Sequence, residues 1–208
     1  HIVCDYLVGC DGGHSTVRRH LGFNYQGRSS SGDRFYDGTM LSIYVRSPDI
    51  FDVINMPLAW HYWTINPKGR VDFITLDGKG EYVLLAEIPP GVPIAEIDIA
   101  AIVENAIGAE TNFEIISVNE WLAGLALVVD SYQKGRVFLA GDSAHLFTPS
   151  GGFGFNTGID DVSNLGWKLA AVIQGWAPAG LLDTYQTERK PIGIRNTSAS
   201  GDYANKIG

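Results

Sequence analysis

No run of eighteen consecutive apolar residues occurs in this chain, so nothing in it reads as a membrane-spanning helix. The first residues also lack the basic-then-apolar layout of a secretory signal, and a cytoplasmic protein is the expectation. Cysteine is scarce. Cys4 and Cys10 stand without a second Cys or His cluster at zinc-like spacing, which argues against a disulfide framework or a metal site and leaves two reduced thiols expected in the core. Basic residues do not gather either: 15 Lys and Arg face 23 Asp and Glu, the formal net charge is -8, and the densest cluster is Arg18-Arg19-His20. Such a surface repels a phosphate backbone, so nucleic acid is not an expected partner. Two nucleotide fingerprints are missing as well. There is no P-loop, and neither "GCDGGHS" nor "GGFGFNTG" has the G-x-G-x-x-G spacing. The chain opens on "HIVCDYLVGCDG" without Met and already inside an apolar run, as expected of a piece of a longer polypeptide.

What is present is a well-populated core. With 208 residues, 45% of them hydrophobic and 18% charged, the chain suits one large or two small globular domains. Ile2 to Cys10 reads as a buried strand stopped by Asp11-Gly12-Gly13, with a short helix starting at Ser15. From Phe35 to about Val129 the stretches "MLSIYVRS", "LAWHYWTINP", "GRVDFITLD" and "EYVLLAEIPP" are punctuated by "NPKG", "DGKG" and "PPG", the pattern of an antiparallel sheet. Ile94 to Ile107 has helical spacing and Gly108 as its stop, and "FEIISVNEWLAGLALVVDSY" holds a further strand pair. After a short strand from Arg136 to Ala140 come a glycine-rich loop and two helical patterns, near Gly154 to Gln174 and Ala179 to Ser200. The expectation is an α/β (α+β) fold: residues 1-32 and 130-208 form one domain, and residues 33-129 are a mostly antiparallel β insert.

The stretch from Gly135 to Ala170, "GRVFLAGDSAHLFTPSGGFGFNTGIDDVSNLGWKLA", carries the chemistry. A strand ending in Gly141-Asp142 sets a carboxylate at the carboxyl end of a sheet, where open α/β sheets form ligand crevices, and a carboxylate there accepts from sugar or ribityl hydroxyls. Pro149 to Gly154 lets the backbone approach a flat or anionic ligand closely. Asn156, Thr157 and Gly158 then open a helix with Ile159, Val162, Leu165 and Leu169 on one face, and its first turn is a seat for partial negative charge. Read as residues alone, the loop serves equally to pack a strand against a helix, with Asp142 as a local cap.

The stretch resembles the second flavin-binding motif of the class A flavin-dependent aromatic hydroxylases, the family of para-hydroxybenzoate and phenol hydroxylases. The likeness is carried by "GDSAH" at Gly141 to His145, Pro149, "GGFGFNTG" at Gly151 to Gly158, Asp161, and "NLGWKLA" at Asn164 to Ala170. "CDGGHSTVRRHLG" resembles the family's other internal motif through Asp11, Gly12, Ser15, Val17 and Arg18, and "YQTERKP" fits as well. The resemblance implies FAD as cofactor. It implies Gly141 and Asp142 at the ribityl chain, Pro149 along the ring edge, and the backbone of Gly152, Phe153, Gly154, Phe155 and Asn156 at the pyrimidine end. Reduced flavin is anionic near N1 and O2, which a helix N-terminus stabilises. Asp11 and Arg18 would support flavin and pyridine nucleotide; as residues alone, Asp11 is equally a turn residue, Ser15 an N-cap and Arg18 a surface charge.

The implied reaction is hydroxylation of a small aromatic, phenol-like substrate. NADH or NADPH reduces the flavin, molecular oxygen adds at C4a, and the hydroperoxide transfers one oxygen atom. Substrate is expected between the β insert and the flavin loop. Trp60, His61, Tyr62 and Trp63 are candidate lining residues, although alternation turns half of them away. No catalytic residue is assigned: His145 reads as loop scaffold, and Asp160-Asp161 as carboxylates serving the helix dipole. The sequence departs from the family in lacking the βαβ unit with G-x-G-x-x-G that seats the adenosine diphosphate half of FAD. The expectation is a fragment of a FAD monooxygenase, inactive or weakly active alone, binding FAD weakly or not at all, and self-associating through exposed apolar edges. Two alternatives stand beside it: a flavoprotein of the same fold that does not oxygenate, and a cofactor-free binding module. "WHYWTINP" lacks the W-x-W-x-I-P element of flavin halogenases.

Overall fold

Parallel pairing between the two ends of the chain frames the site. In the computed structural model, Leu7–Gly9 (β1) runs alongside Val137–Leu139 (β10), with Val8 opposite Phe138. The structure describes residues 1–29, 38–54, 56–88, 91–204 and 206. They fall into two compact units, His1–Ser30 with Gly124–Ile207, and Ser31–Ala123. The expected start of the insert, at residues 33 to 35, lies outside the described residues, as do residues 89 and 90 of the "PPG" turn.

In the first unit, β10 also pairs antiparallel with Gln133–Lys134 (β9). A second three-stranded sheet has Ala126–Val129 (β8) between Tyr25–Arg28 (β2) and His145–Leu146 (β11). Three helices complete the unit: Thr16–Leu21 (α1), Phe153–Ile173 (α4), and Asp183–Ala204 (α5) behind a 3-10 turn at Ala179–Leu182. Val129, Tyr132, Phe138, Leu139, Leu165 and Tyr185 form its core. The strand expected from Ile2 to Cys10 is shorter. Only Leu7–Gly9 finds a ladder partner, Ile2 and Val3 are 95% and 97% exposed, and Cys4 and Cys10 are exposed rather than core thiols.

The second unit is a five-stranded antiparallel sheet of Gly38–Arg46 (β3), His61–Asn66 (β4), Gly69–Thr75 (β5), Glu81–Glu87 (β6) and Glu114–Ala123 (β7), in the order β4-β5-β6-β3-β7. Alternation along the strands places Leu41, Ile43, Val45, Phe73, Tyr82 and Leu84 in one core with Val103 and Ile107 of the helix Ile99–Ile107 (α3). That helix starts later than its spacing suggests. Ile94–Glu96 is a separate 3-10 turn, and Asp98 caps α3 by accepting from the Ala101 amide at 3.0 Å. A short helix at Ile50–Ile54 (α2) had no clear sequence signal. "FEIISVNEWLAGLALVVDSY" does supply two strands, but β7 and β8 belong to different sheets.

Helix α4 meets its expected span, near Gly154 to Gln174, to within a residue, but Asn156, Thr157 and Gly158 do not open it: it begins at Phe153, behind Gly152 in the left-handed region at φ 64°. Its buried residues are Thr157, Asp161, Leu165, Lys168 and Ala171; of the four apolar residues placed on one face, Leu165 is buried, whereas Ile159 and Val162 are 47% and 42% exposed. Among the described residues no helix is long and apolar enough to cross a membrane.

Candidate functional site

Strand β10 ends at Leu139, and the chain turns sharply through Gly141, which sits at φ 62° and opens a 3-10 turn over Gly141–Ser143. A side chain at Gly141 would be strained, and one at Gly158 would bring its Cβ within 3.4 Å of the Gly141 Cα. Two backbones thus touch where strand meets helix. The buried Ser143 hydroxyl lies 2.6 Å from the carbonyl of Gly9 in β1 and 2.8 Å from that of Ala140, which ties the turn to the sheet.

Asp161, reaching back from α4, fixes the same turn from behind. One carboxylate oxygen accepts from the Gly141 amide at 3.1 Å and lies 2.6 Å from Nε2 of His145; the other accepts from Nε of Arg189 on α5 at 2.9 Å. Asp161 and His145 are fully buried and Arg189 is nearly so. A buried carboxylate is tolerable when its lone pairs are filled this way, and the network acts as a rigid anchor. The expectation for Asp160-Asp161 is therefore corrected: Asp161 serves the loop and not the helix dipole. His145, the expected scaffold residue, is one of its partners.

The result of this anchoring is an Asp142 that faces outward. Its side chain is exposed and its carboxylate makes no hydrogen bond with any described residue, while its main-chain carbonyl accepts from the hydroxyl of Tyr25 on β2. Pro149 is exposed as well. The α4 N-terminus lies close by in sequence: Gly152 offers no side-chain cap, its own Cβ position faces open space, and Asn156 Nδ2 donates back to the Gly152 carbonyl at 2.8 Å. The first-turn amides of Phe153, Gly154 and Phe155 thus have no acceptor from a capping side chain. Phe155 is 79% exposed, whereas Phe153 stacks on Tyr203 with ring centroids 6.0 Å apart. Thr148 Oγ1 and Ser150 Oγ are buried hydroxyls without a hydrogen-bond partner among the described residues. Together these groups offer one free carboxylate for hydroxyls and a run of amide donors at a dipole's positive end.

The other motif packs next to Tyr25. Asp11 accepts from the amides of Thr16 at 2.7 Å and Val17 at 3.1 Å, and Ser15 is the N-cap of α1, accepting from the Arg18 amide at 2.9 Å. Burial pushes the Asp11 carboxyl up, but the Ser15 hydroxyl and the Val17 and Thr16 amides outweigh it and hold the group below its ordinary value. Arg18 donates to the Gly13 carbonyl at 2.7 Å, and its guanidinium lies 3.9 Å from the centroid of the Tyr25 ring. Tyr25, Asp161 and Arg189 carry the internal contacts of the loop. Of these, Asp161 had a sequence cue in the second motif and Arg189 in "YQTERKP", whereas Tyr25 had none.

Three of the four aromatic-cluster residues line one cavity in the second unit. It measures about 410 Å³ and is bounded by Met56, His61, Tyr62, Trp63, Phe73 and Ile107, among others. Alternation sends Tyr62 inward, where its hydroxyl accepts from the Ala59 amide at 2.7 Å and donates to the Pro57 carbonyl at 3.0 Å. His61 and Trp63 lie on the opposite face, and His61 Nδ1 is 3.5 Å from the buried Asp72 carboxylate. Trp60 is 65% exposed and is not among the lining residues.

Comparison with known proteins places this geometry. A family model described as FAD binding domain matches residues 1–200. A putative polyketide hydroxylase of Streptomyces coelicolor is 40% identical over 197 residues, covering 92% of this chain and 30% of its own length. Rifampicin monooxygenase of Rhodococcus hoagii is 36% identical over 204 residues, covering 95% of this chain and 41% of its own. Among solved structures, aklavinone-11 hydroxylase in a ternary complex with FAD and aklavinone superposes with a TM-score of 0.87 at 30% identity, over 97% of this chain and 37% of that one. The chain therefore spans 30% to 41% of the length of these relatives. With the matched family model, the shared motifs and the common fold in agreement, the chain belongs to the FAD binding domain family of class A flavin-dependent monooxygenases.

Proposed function

We propose that this chain forms the ribityl and ring side of the FAD site in a monooxygenase that draws electrons from NADH or NADPH and hydroxylates an aromatic, phenol-like substrate. The observation that carries the reading is the pairing of an outward, unpartnered Asp142 carboxylate with an α4 N-terminus that has no side-chain cap. The groups fit a flavin: Asp142 accepts from ribityl hydroxyls, Pro149 and the Gly152 to Asn156 backbone hold the ring, and the helix N-terminus favours the negative charge of the reduced form. FAD, when bound, supplies the redox and oxygen-transfer chemistry. The protein's part is to seat it through the Gly141 turn, which Asp161 and Ser143 hold in place. Asp11 and Arg18 support the flavin and pyridine-nucleotide side through the α1 turn. The cavity in the second unit, with Tyr62, Trp63 and His61 on its walls, suits an aromatic ring with one polar handle.

Titration of the chain with riboflavin and with FAD, followed by flavin fluorescence, tests the reading. Saturable binding of both is expected, FAD within about tenfold of riboflavin and weaker than about 1 μM, because no G-x-G-x-x-G is present to seat the adenosine half. Failure of both flavins to bind contradicts the flavin reading. Sub-micromolar FAD binding contradicts the view that only the riboflavin end is recognised. Hydroxylation is tested on the full-length protein that carries this sequence, by NAD(P)H consumption that depends on an aromatic compound and by the hydroxylated product. Bound flavin with neither would favour a flavoprotein that does not oxygenate.

A further inference from the structure

Tyr25 stands between the two flavin motifs without belonging to either. It lies on β2, whose partner β8 also pairs with β11, the strand that carries His145. Its hydroxyl donates to the main-chain carbonyl of Asp142, 117 positions away in sequence. Its ring is covered by the Arg18 guanidinium at 3.9 Å, and Arg18 is pinned in turn by its 2.7 Å bond to the Gly13 carbonyl. Burial pushes the Tyr25 phenol above its ordinary value, against a lowering influence from Arg18, so the group remains a protonated donor at neutral pH.

The remaining support of the Gly141 turn comes from behind: Asp161 grips the Gly141 amide and Ser143 reaches β1. Neither side chain hydrogen-bonds residue 142. Asp142 has an exposed side chain in the middle of the 3-10 turn, which the Ala144 amide closes onto the Gly141 carbonyl at 2.8 Å, and a donor to its own carbonyl adds a fixed point at residue 142 itself. Among the described residues, that carbonyl has one side-chain donor, Tyr25.

We propose that Tyr25 is a positioning residue for flavin: by fixing the Asp142 carbonyl it aims the Asp142 carboxylate at the ribityl hydroxyls. Arg18 keeps the Tyr25 ring in place, so the first motif acts on the ribityl chain through Tyr25. The inference rests on the flavin reading given above and goes beyond it in assigning a residue outside both motifs.

The test compares two ligands on the intact chain. Riboflavin carries the ribityl chain, and lumiflavin is the same ring with a methyl group in its place. Tyr25→Phe keeps the ring for Arg18 and removes only the hydroxyl. It should weaken riboflavin binding about three- to tenfold, the range expected for one hydrogen bond, and leave lumiflavin binding within about twofold of wild type. A merely structural role would weaken both ligands together. Asp142→Ala, at an exposed position, should show the same selective loss, and the double variant should be no weaker than Asp142→Ala alone. Equal riboflavin binding by wild type and Tyr25→Phe, or equal loss of both ligands, overturns this inference alone. Wild type binding riboflavin no better than lumiflavin overturns it together with the ribityl role of Asp142. Wild type binding neither ligand overturns the flavin reading and this inference with it.

Discussion

Asp161 Oδ2 lies 2.6 Å from His145 Nε2, with both side chains sealed from solvent. The same carboxylate holds Arg189 and the Gly141 amide, so a single group joins α4, α5, β11 and the loop. Asp161→Ala would leave a guanidinium and an imidazole buried without their acceptor. A loss of about 3–5 kcal/mol is expected, because removing one partner of a buried pair strands the other charge. Urea denaturation of the variant checks it, and a loss under about 1 kcal/mol, the size of an exposed pair, would mean the network is solvated.

Gly193 sits in the middle of α5, where alanine normally stabilises a helix by about 1 kcal/mol. Here a Cβ would fall 2.2 Å from the Tyr132 hydroxyl, itself buried and without a hydrogen-bond partner among the described residues. Gly193→Ala is therefore expected to destabilise by about 1–3 kcal/mol through overpacking. Tyr132→Phe should relieve it, since the next atom on the ring is 3.5 Å away. Thermal denaturation of the two single variants and the double variant measures the rescue; additive effects would contradict the clash.

Acid should weaken the turn between β5 and β6. Asp77 accepts from the amides of Lys79, Gly80 and Glu81 at 2.9, 3.0 and 3.0 Å, and these bonds lower its carboxyl from 3.8 to about 2. The folded value lies below the unfolded one, so the contribution is complete above the unfolded value and is lost as pH falls through about 2. In Asp77→Asn the fall in melting temperature across that window should be shallower than in wild type. Parallel curves would show that the amides do not favour the ionised form.

The outward side of α4 should make the chain self-associate. Phe155, Ile159, Val162 and Ile173 are 79%, 47%, 42% and 63% exposed, and the spacing of the first three sets them on one helical face. Sedimentation velocity should find a concentration-dependent increase in mass that Ile159→Lys with Val162→Lys suppresses. A monomer at all concentrations would contradict it.

Sequence patterning reported the elements better than their surroundings. Period-two alternation marks β3 to β6 because one face of that sheet packs on α3. For α4, apolar spacing found Leu165 and Leu169, which pack in the core, but not the buried charges: Asp161 and Lys168 are buried where Arg189 and Glu188 of α5 meet them at 2.9 and 2.8 Å, and no spacing rule encodes a partner on another helix. Asp160 and Asp161 are the same side chain at adjacent positions, told apart in sequence only by the motif that includes Asp161, yet Asp161 is buried and Asp160 exposed. Tyr25 was silent for the same reason, since its contact with Asp142 exists only after β2 pairs with β8. The Gly141 to Asn156 loop was legible as a loop because Gly141 and Gly152 meet a backbone requirement that is local.

The central claim is that the Gly141 to Asn156 loop binds the riboflavin end of FAD through Asp142. Its most direct test is a riboflavin titration of wild type and Asp142→Ala, with melting temperatures measured alongside. The account predicts saturable binding by wild type and a loss of about tenfold or more in the variant, as expected for hydrogen bonds to a charged group, at an unchanged melting temperature. Equal affinities in the two proteins, or no binding by wild type, would contradict it.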